Sequence, residues 1–290
     1  MRMHIDVIIA TTDRAEIVGE TVDWLRHQKR LPDRVIIVGA AEADLPTGLS
    51  VPFPVVEMIA AKGLCNQRNA GLDFACEKAG AIMFFDDDFF AEETYLANME
   101  RLFKSDDDLV GVTGVLLADG AQTGAIAAPD ARAALLSHQA RETQDDRACT
   151  WLYGCNMGFR ASACAQLRFD TNLPFYGWQE DVDFSAQLMA KGKLLRSASL
   201  TGIHLGTRRG RTSGLRLGYS QVANVLYLQR KGTMRLYQGW RLLLGNLAAN
   251  IIRSFRPEPE IDRRGRLRGN AIAFLDLLRG RIDPRRIITM

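Results

Sequence analysis

Residues 81–90 read Ala-Ile-Met-Phe-Phe-Asp-Asp-Asp-Phe-Phe, and few local structures can accommodate such a run. Five apolar residues of buried-strand type lead straight into three carboxylates, and an apolar pair follows. The acids therefore stand where a core strand leaves its sheet. Adjacent carboxylates repel one another, and in a partly dehydrated crevice each would take up a proton unless a cation were shared among them. If strand geometry persists to its end, side chains alternate, which puts Asp86 and Asp88 on one side and Asp87 on the other. Two carboxylates on one side suit Mg2+ or Mn2+, hard ions that leave positions open for phosphate oxygens.

Asp106, Asp107 and Asp108 form an internal control. They precede the apolar run 109–112, at the entry of a strand. Ligands of open α/β sheets gather at the carboxyl ends of strands, which selects the first triplet as a metal site and the second as a solvated turn.

The flanking pattern predicts an α/β fold. Strands are expected at 5–10, 34–38, 55–59, 110–117 and 151–160, and helices at 16–27, 66–77 and 92–103. A β-α-β opening implies parallel strands. Residues 120–148 read as a crossing segment or a loop near an acceptor, with a helix at 131–141. Small residues at Gly154, Asn156 and Gly158 would let another molecule approach the backbone. A helix beginning near Glu180 should end at Gly192, with Phe184, Leu188 and Met189 on its inner side. No G-x-G-x-x-G follows the first strand and no G-x-x-x-x-G-K-[ST] occurs, which argues against dinucleotide and P-loop chemistry.

A chain of 290 residues, 47% apolar and 24% charged, suffices for one large domain or one domain with an appendage. Its net charge of +3 conceals an asymmetry: from Lys193 onward twenty Lys/Arg face five Asp/Glu, which leaves 17 against 29 before it. Five cysteines without C-x-x-C spacing fit reduced thiols in a cytosolic setting. Neither a secretory signal core nor an uninterrupted apolar run of membrane-spanning length is present. After His204 comes a glycine-rich basic segment at 208–214, suited either to closing over a pyrophosphate or to forming a surface loop. Helices are expected at 220–229 and 234–255, followed by a last one beyond Pro257 and Pro259. Leu236, Trp240, Leu243, Leu247 and Ile251 make one apolar stripe, and Leu267, Ala271, Leu275, Leu278 and Ile282 another, both among arginines. Such stripes either lie on an anionic membrane surface or pack on the rest of the protein. Without an interleaved stacking platform, nucleic acid is not an expected partner.

A second acidic cluster, Glu180-Asp181-Val182-Asp183, opens a helix, where acids serve either as caps or as a base held in its anionic form. Together these stretches resemble family 2 of inverting glycosyltransferases with the GT-A fold. The resemblance rests on residues 7–14, on Gln67-Arg68-Asn69-Ala70-Gly71-Leu72, on Phe84 to Asp88 as the D-x-D element, and on Gly154-Cys155-Asn156-Met157-Gly158-Phe159-Arg160 followed by Glu180-Asp181. It covers roughly the first two hundred residues.

The resemblance implies a Rossmann-like, mostly parallel sheet flanked by helices over 1–205, with a donor half at about 1–117 and an acceptor half at about 118–205. A basic, mainly helical region then spans 206–290. It implies a nucleotide-sugar donor, Mn2+ or Mg2+, and a saccharide or lipid-linked acceptor, with the protein cytoplasmic and the basic region a candidate for the inner leaflet of the membrane. Asp88 would be the principal metal ligand, and Asp86 would reach the donor's ribose or the metal. Thr11, Asp13, Arg14, Arg68 and Asp87 would line the donor. Asp181 would be the base that activates the acceptor hydroxyl, with Glu180 supporting it or holding the acceptor. His204 stands where related enzymes carry a third metal ligand or a phosphate contact; its alternative is a structural role. The chain departs from the family where Thr12 replaces an aromatic residue and Gly39 an acidic one, both used to hold the donor base, with Glu42 or Asp44 as substitutes. Q-x-x-R-W is absent, which points to transfer of one sugar per encounter, in exopolysaccharide or cell-surface assembly.

Two rival readings remain at this stage. A nucleotidyltransferase would carry a glycine-rich, Arg/Lys-containing loop after the first strand, which Thr11 to Arg14 is not. A catalytically degenerate, membrane-bound scaffold is the other, on account of Thr12 and Gly39.

Overall fold

The computed structural model describes residues 2–75, 79–138, 146–207, 212–255, 258 and 261–290. Ile5–Ala10 (β1), Arg34–Gly39 (β2) and Ala81–Asp86 (β4) are rich in β-branched and aromatic residues, which fit a pleated, buried surface, and Val55–Ile59 (β3) is a half-exposed edge strand. Between them run the helices Ala15–Trp24 (α1) and Leu64–Ala75 (α2). Next come the short strand Phe89–Ala91 (β5), the helix Tyr95–Ser105 (α3), the long strand Leu109–Asp119 (β6), a helical turn Gly120–Thr123 (α4) and the helix Ala128–Ser137 (α5). Arg147–Ala148 (β7), Asn156–Arg160 (β8), the turn Ala161–Cys164 (α6), the helix Glu180–Met189 (α7) and the strand Lys193–His204 (β9) complete this part. Three helices follow: Gly214–Lys231 (α8), Leu236–Ser254 (α9) and Arg263–Leu278 (α10).

The described strands form one sheet in the order β3-β2-β1-β4-β8-β6-β9-β5, with β7 paired to β9. Strands β3 to β4 are parallel throughout, as short helical crossovers demand, whereas β8 runs antiparallel to both β4 and β6, and β5 antiparallel to β9. The sheet is thus mixed beyond β4. Because β1, β2 and β4 are covered on both faces, their apolar residues from Ile5 through Phe85 are almost wholly buried.

The chain divides into two compact units, Met1–Arg168 with Gln187–Gly210, and Phe169–Ala186 with Arg211–Met290. In the first unit, α3 is fastened at the edge of the core by Glu100. Its carboxylate takes Lys104 at 2.6 Å, the Met3 N–H at 2.9 Å and Arg30 at 2.9 Å. Burial would raise its pKa, but these three donors outweigh burial and hold it at about 2, below the usual 4.5. A depressed carboxylate contributes stability that is complete above its unfolded pKa and disappears as pH falls through the folded one. The melting-temperature deficit of Glu100→Gln should accordingly be constant above about pH 4.5 and shrink toward pH 2, which thermal unfolding across that range would check.

Several expectations need correction. The strand expected at 151–160 begins only at Asn156, because the Asn156 N–H turns back to the Tyr153 carbonyl at 2.9 Å. Asn156 is buried and its side-chain oxygen accepts from Thr113 and from the Gly114 N–H, while Gly158 leaves room for the sulfurs of Met83 and Met99. Met189, expected on the inner side of its helix, is exposed, whereas Phe184 and Leu188 are buried. Cys65, Cys155 and Cys164 are buried and Cys149 is half-buried. Cys76, most of the basic segment 208–214, and part of the helix expected at 131–141 lie outside the described residues.

The second unit packs on polar and small residues. Helices α8 and α10 approach so closely that a Cβ at Gly218 would fall 2.0 Å from the Arg266 carbonyl oxygen, and one at Gly269 would fall 2.1 Å from that of Leu215. Inside, the Asn250 amide donates to Gln221 at 2.8 Å and to Asn270 at 2.9 Å, and Gln221 donates to Asn246 at 3.1 Å. Buried amides of this kind tolerate dehydration because their hydrogen bonds are made. The outer side of α9 is apolar: Leu236, Trp240 and Ile251 of the expected stripe are exposed, and only Leu243 is buried.

Candidate active site

Strand β4 ends at Asp86, and residues 87–88 turn the chain into β5. Pairing of β5 with β9 sets Phe89 opposite His204, and the Leu205 N–H donates to the Asp88 carbonyl at 2.9 Å. Glycine at 202 permits this approach, since a Cβ there would lie 2.2 Å from the Phe89 ring and 2.8 Å from the Phe90 carbonyl oxygen. The main chain therefore brings the acidic turn and the end of β9 together.

Asp86, Asp88 and His204 converge, each offering one ligand atom within 4.8 Å of the others. Among the described residues this is the only such group of three or more. His204 Nε2 lies 3.2 Å from Asp88 Oδ1 and 3.8 Å from Asp86 Oδ2. The other ring nitrogen, Nδ1, is 2.9 Å from Asp119 Oδ1, and Asp119 also accepts from the Tyr153 hydroxyl at 3.0 Å and from the Ala121 N–H at 3.0 Å. A carboxylate behind the ring fixes Nδ1 as a donor and turns Nε2 toward the cluster, as an outer-shell partner does for a metal-binding histidine. The donor set fits a divalent cation. Asp88 Oδ1 is buried without a well-directed hydrogen bond, while Oδ2 is occupied by the Thr207 N–H at 2.6 Å.

Electrostatics reflect this crowding. Burial alone would lower the pKa of His204, but Asp119, Asp88 and Asp86 outweigh it and raise it to about 10. Burial would raise the pKa of Asp88, yet His204, Arg14 and the Thr207 N–H bring it below the usual range. For Asp87 burial wins, pushing its carboxyl up against the pull of Arg14 and Thr11. Because Nε2 must shed its proton before it can ligate, Mn2+ binding near pH 7 should release about one proton. Titration calorimetry in buffers of different ionisation enthalpy would measure that proton, which should be missing in His204→Gln.

Asp87 points away from this group. It accepts from Thr11 Oγ1 at 2.8 Å and from Arg14 Nη1 at 2.8 Å, and Arg14 also donates to the Thr207 carbonyl at 2.9 Å. Arg68 is buried, donating to Asp86 at 3.0 Å and to the Gly154 carbonyl at 2.7 Å. Asp13 is exposed with φ of 59°, and its N–H donates to Asp44 at 2.6 Å. Asp44, one candidate for a donor-base contact, is buried and also accepts the N–H groups of Ala40 and Ala41, each at 2.9 Å. Glu42 is exposed.

Glu180 and Asp181 open α7, in the second unit. Three consecutive-but-one positions just before it, Phe175, Gly177 and Gln179, have φ of 57°, 62° and 73°. Left-handed backbone at non-glycine residues is costly and often accompanies a functional constraint. The acids of α7 differ in surroundings. Asp183 is fully buried and bound by Lys231 at 2.8 Å and Thr233 at 2.6 Å, Glu180 is buried, and Asp181 is partly exposed with an oxygen 2.9 Å from the Val182 N–H. The control triplet behaves as a surface turn at the entry of β6, with Lys193 3.3 Å from Asp106 and 3.4 Å from Asp108.

Asp119, Tyr153 and the Thr207 backbone escaped the sequence reading, and Gln67 was quoted there only as part of a motif, without a role. Asp119 had a legible signal, since it too ends an apolar strand. Gln67 ties the end of β1 to its neighbour, donating to the carbonyls of Thr11 at 2.6 Å and Val38 at 2.8 Å.

A Rossmann-like mixed sheet with an acidic cluster at its carboxyl edge is the arrangement of GT-A glycosyltransferases. Residues 6–168, more than half of the chain, match the family described as Glycosyl transferase family 2, and the chain belongs to that family. No curated protein sequence matches the chain. Among solved structures, the mannosyltransferase PcManGT from Pyrobaculum calidifontis, in complex with GDP-Man and Mn2+, is similar over 99% of this chain and 86% of its own at 15% identity and a TM-score of 0.53. TarS of S. aureus is similar over 87% of this chain and 44% of its own, at 13% identity and a TM-score of 0.52. GalNAc-T7, solved with UDP, GalNAc and Mn2+, is similar over 88% of this chain and 58% of its own, at 14% identity and a TM-score of 0.53. The chain thus spans about half the length of the latter two.

Proposed function

We propose that this glycosyltransferase moves a sugar from a nucleoside-diphosphate donor to a hydroxyl of a polysaccharide or lipid-linked saccharide, in a single displacement with inversion, one sugar per encounter. The convergence of Asp86, Asp88 and His204 at the carboxyl edge of the sheet carries this reading. These three residues would hold Mn2+ or Mg2+, which when bound supplies positive charge against the departing diphosphate. Thr11, Asp13, Arg14, Arg68 and Asp87 line the donor side, directly or by holding one another. Arg14 and Arg68 brace Asp87 and Asp86 in place. Asp181 takes the acceptor proton, and Glu180 supports it; a positioned carboxylate is suited to that task.

Within this reading, residues 1–117 serve the donor, 118–205 the acceptor, and the basic region 206–290 attachment to the cytoplasmic face of a membrane, in exopolysaccharide or cell-surface assembly. The GDP-Man, UDP and Mn2+ bound by structural neighbours support the donor class and the ion. No helix among the described residues is long and apolar enough to cross a membrane, so attachment would be peripheral.

A thermal-shift screen of nucleotide sugars with and without Mn2+ tests the proposal. At a hundred times its Kd, the true donor should stabilise the protein by about 2.7 kcal/mol. At about 2.1 cal/mol/K of unfolding entropy per residue, that corresponds to roughly 4–5 °C in Tm for a chain of 290 residues. Failure of every donor to shift Tm would overturn the reading.

A further inference from the structure

We propose that the outer face of α9 is a docking surface for an anionic lipid bilayer, on which the helix lies in the plane of the interface. The observation is an inverted helix. Asn246, Asn250 and Gly239 face inward with Leu243, while Tyr237, Trp240, Leu244, Ile251, Ile252 and Phe255 are exposed, Tyr237 by 80% and Phe255 by 81%. At 100° per residue, most of this apolar set falls within one side of a 19-residue helix about 28 Å long. A contiguous exposed apolar face of that extent marks an interaction site on a water-soluble surface. Its inner side is held by the amides of Asn246 and Asn250, which engage Gln221 and Asn270.

Charge selects the occupant. The helix Leu236–Ser254 contains no Asp or Glu; Arg241 lies within the apolar side, and Arg235 and Arg253, also exposed, stand at the two ends of the helix. Over residues 212–290, fifteen Lys/Arg face five Asp/Glu. Arg253 is paired with Glu258 at 2.8 Å; a second copy on this face would set Arg241 against Arg241 with no carboxylate on the helix to pair it, whereas lipid phosphates would neutralise that charge. Exposed Trp240, Tyr237 and Phe255 suit the boundary between headgroups and acyl chains, where an apolar body and a polar edge are both accommodated. Leu275 and Leu278 of α10 are exposed as well, beside Arg279 and Arg281. The inference deepens the membrane attachment proposed above for residues 206–290 and rests on that part of the reading; binding to lipid is measured without donor or ion, so its failure is distinguishable from failure of the transferase reading.

Co-sedimentation of the full chain with vesicles of phosphatidylcholine alone, and of phosphatidylcholine mixed with phosphatidylglycerol, tests it. Binding is expected to the mixed vesicles and to weaken with salt. Trp240→Glu combined with Leu244→Glu should reduce it by roughly tenfold or more, with circular dichroism and Tm unchanged because both positions are exposed. Arg241→Ala should reduce it about fivefold, the effect of one basic residue near an anionic surface. No binding to either vesicle, or binding unaffected by the double variant, would overturn the proposal. So would sedimentation velocity showing a dimer that the double variant dissociates, because the face would then belong to a second copy.

Discussion

Asp88→Asn is expected to lower sugar transfer by about a thousandfold, the scale lost when a principal electrostatic contact to developing charge is removed. Asp88 is the only member of the acidic turn that is buried, aimed at His204, and tied by both side chain and backbone to 205–207. Asparagine keeps the volume and an oxygen but removes the charge that favours a dication over bulk water. The assay is release of nucleoside diphosphate in the presence of Mn2+, once a donor has been found by thermal shift. Asp107→Asn is the matched control: its carboxylate is solvent-exposed at the entry of β6, and its replacement should leave the rate unchanged. Equal activity of Asp88→Asn and the wild type would remove the metal site from the proposal.

The second large effect is expected at Asp181. Asparagine there should cut kcat by on the order of 10²–10⁴ while leaving donor-induced thermal stabilisation intact, because a general base acts on the acceptor and contributes little to holding the donor. Its neighbour provides the contrast. Asp183→Asn weakens ties to Lys231 and Thr233 in a fully buried position, so it should reduce Tm. Comparing the two variants by single-turnover rate and by melting separates a chemical role in the first turn of α7 from a structural one. A loss of donor stabilisation in Asp181→Asn would place that residue on the donor side instead.

Legibility of the fold followed the physical clarity of its local signals. Strands β1 to β4 are near-continuous apolar runs between polar stops, and the sequence marks them without ambiguity. Strand β9 carries Ser197, Ser199 and Thr201 among its leucines, and its register against β6 shifts at three places, so no clean alternation announces it. Because β9 delivers His204, the geometry of the cluster was hidden with it. Asp44 was a plausible contact by composition, and the folded turn reveals that it also binds three backbone N–H groups. For α9 the periodic apolar stripe was evident, but the direction it faces was not. The decisive residues were Asn246 and Asn250, whose amides find partners on α8 and α10 and so draw the polar side inward.

The ladder between β5 and β9 has one more effect. Phe89 and His204 are register partners, and the Asp88 carbonyl is held by the Leu205 N–H, so the spacing of Asp88 and His204, the proposed ligands, is inherited from backbone pairing. Chelation should then strip the ion without loosening the scaffold, and reloading with a different divalent species should be quick and complete. Whatever rate differences emerge among such species would report the character of each ion, not a rebuilding of its socket.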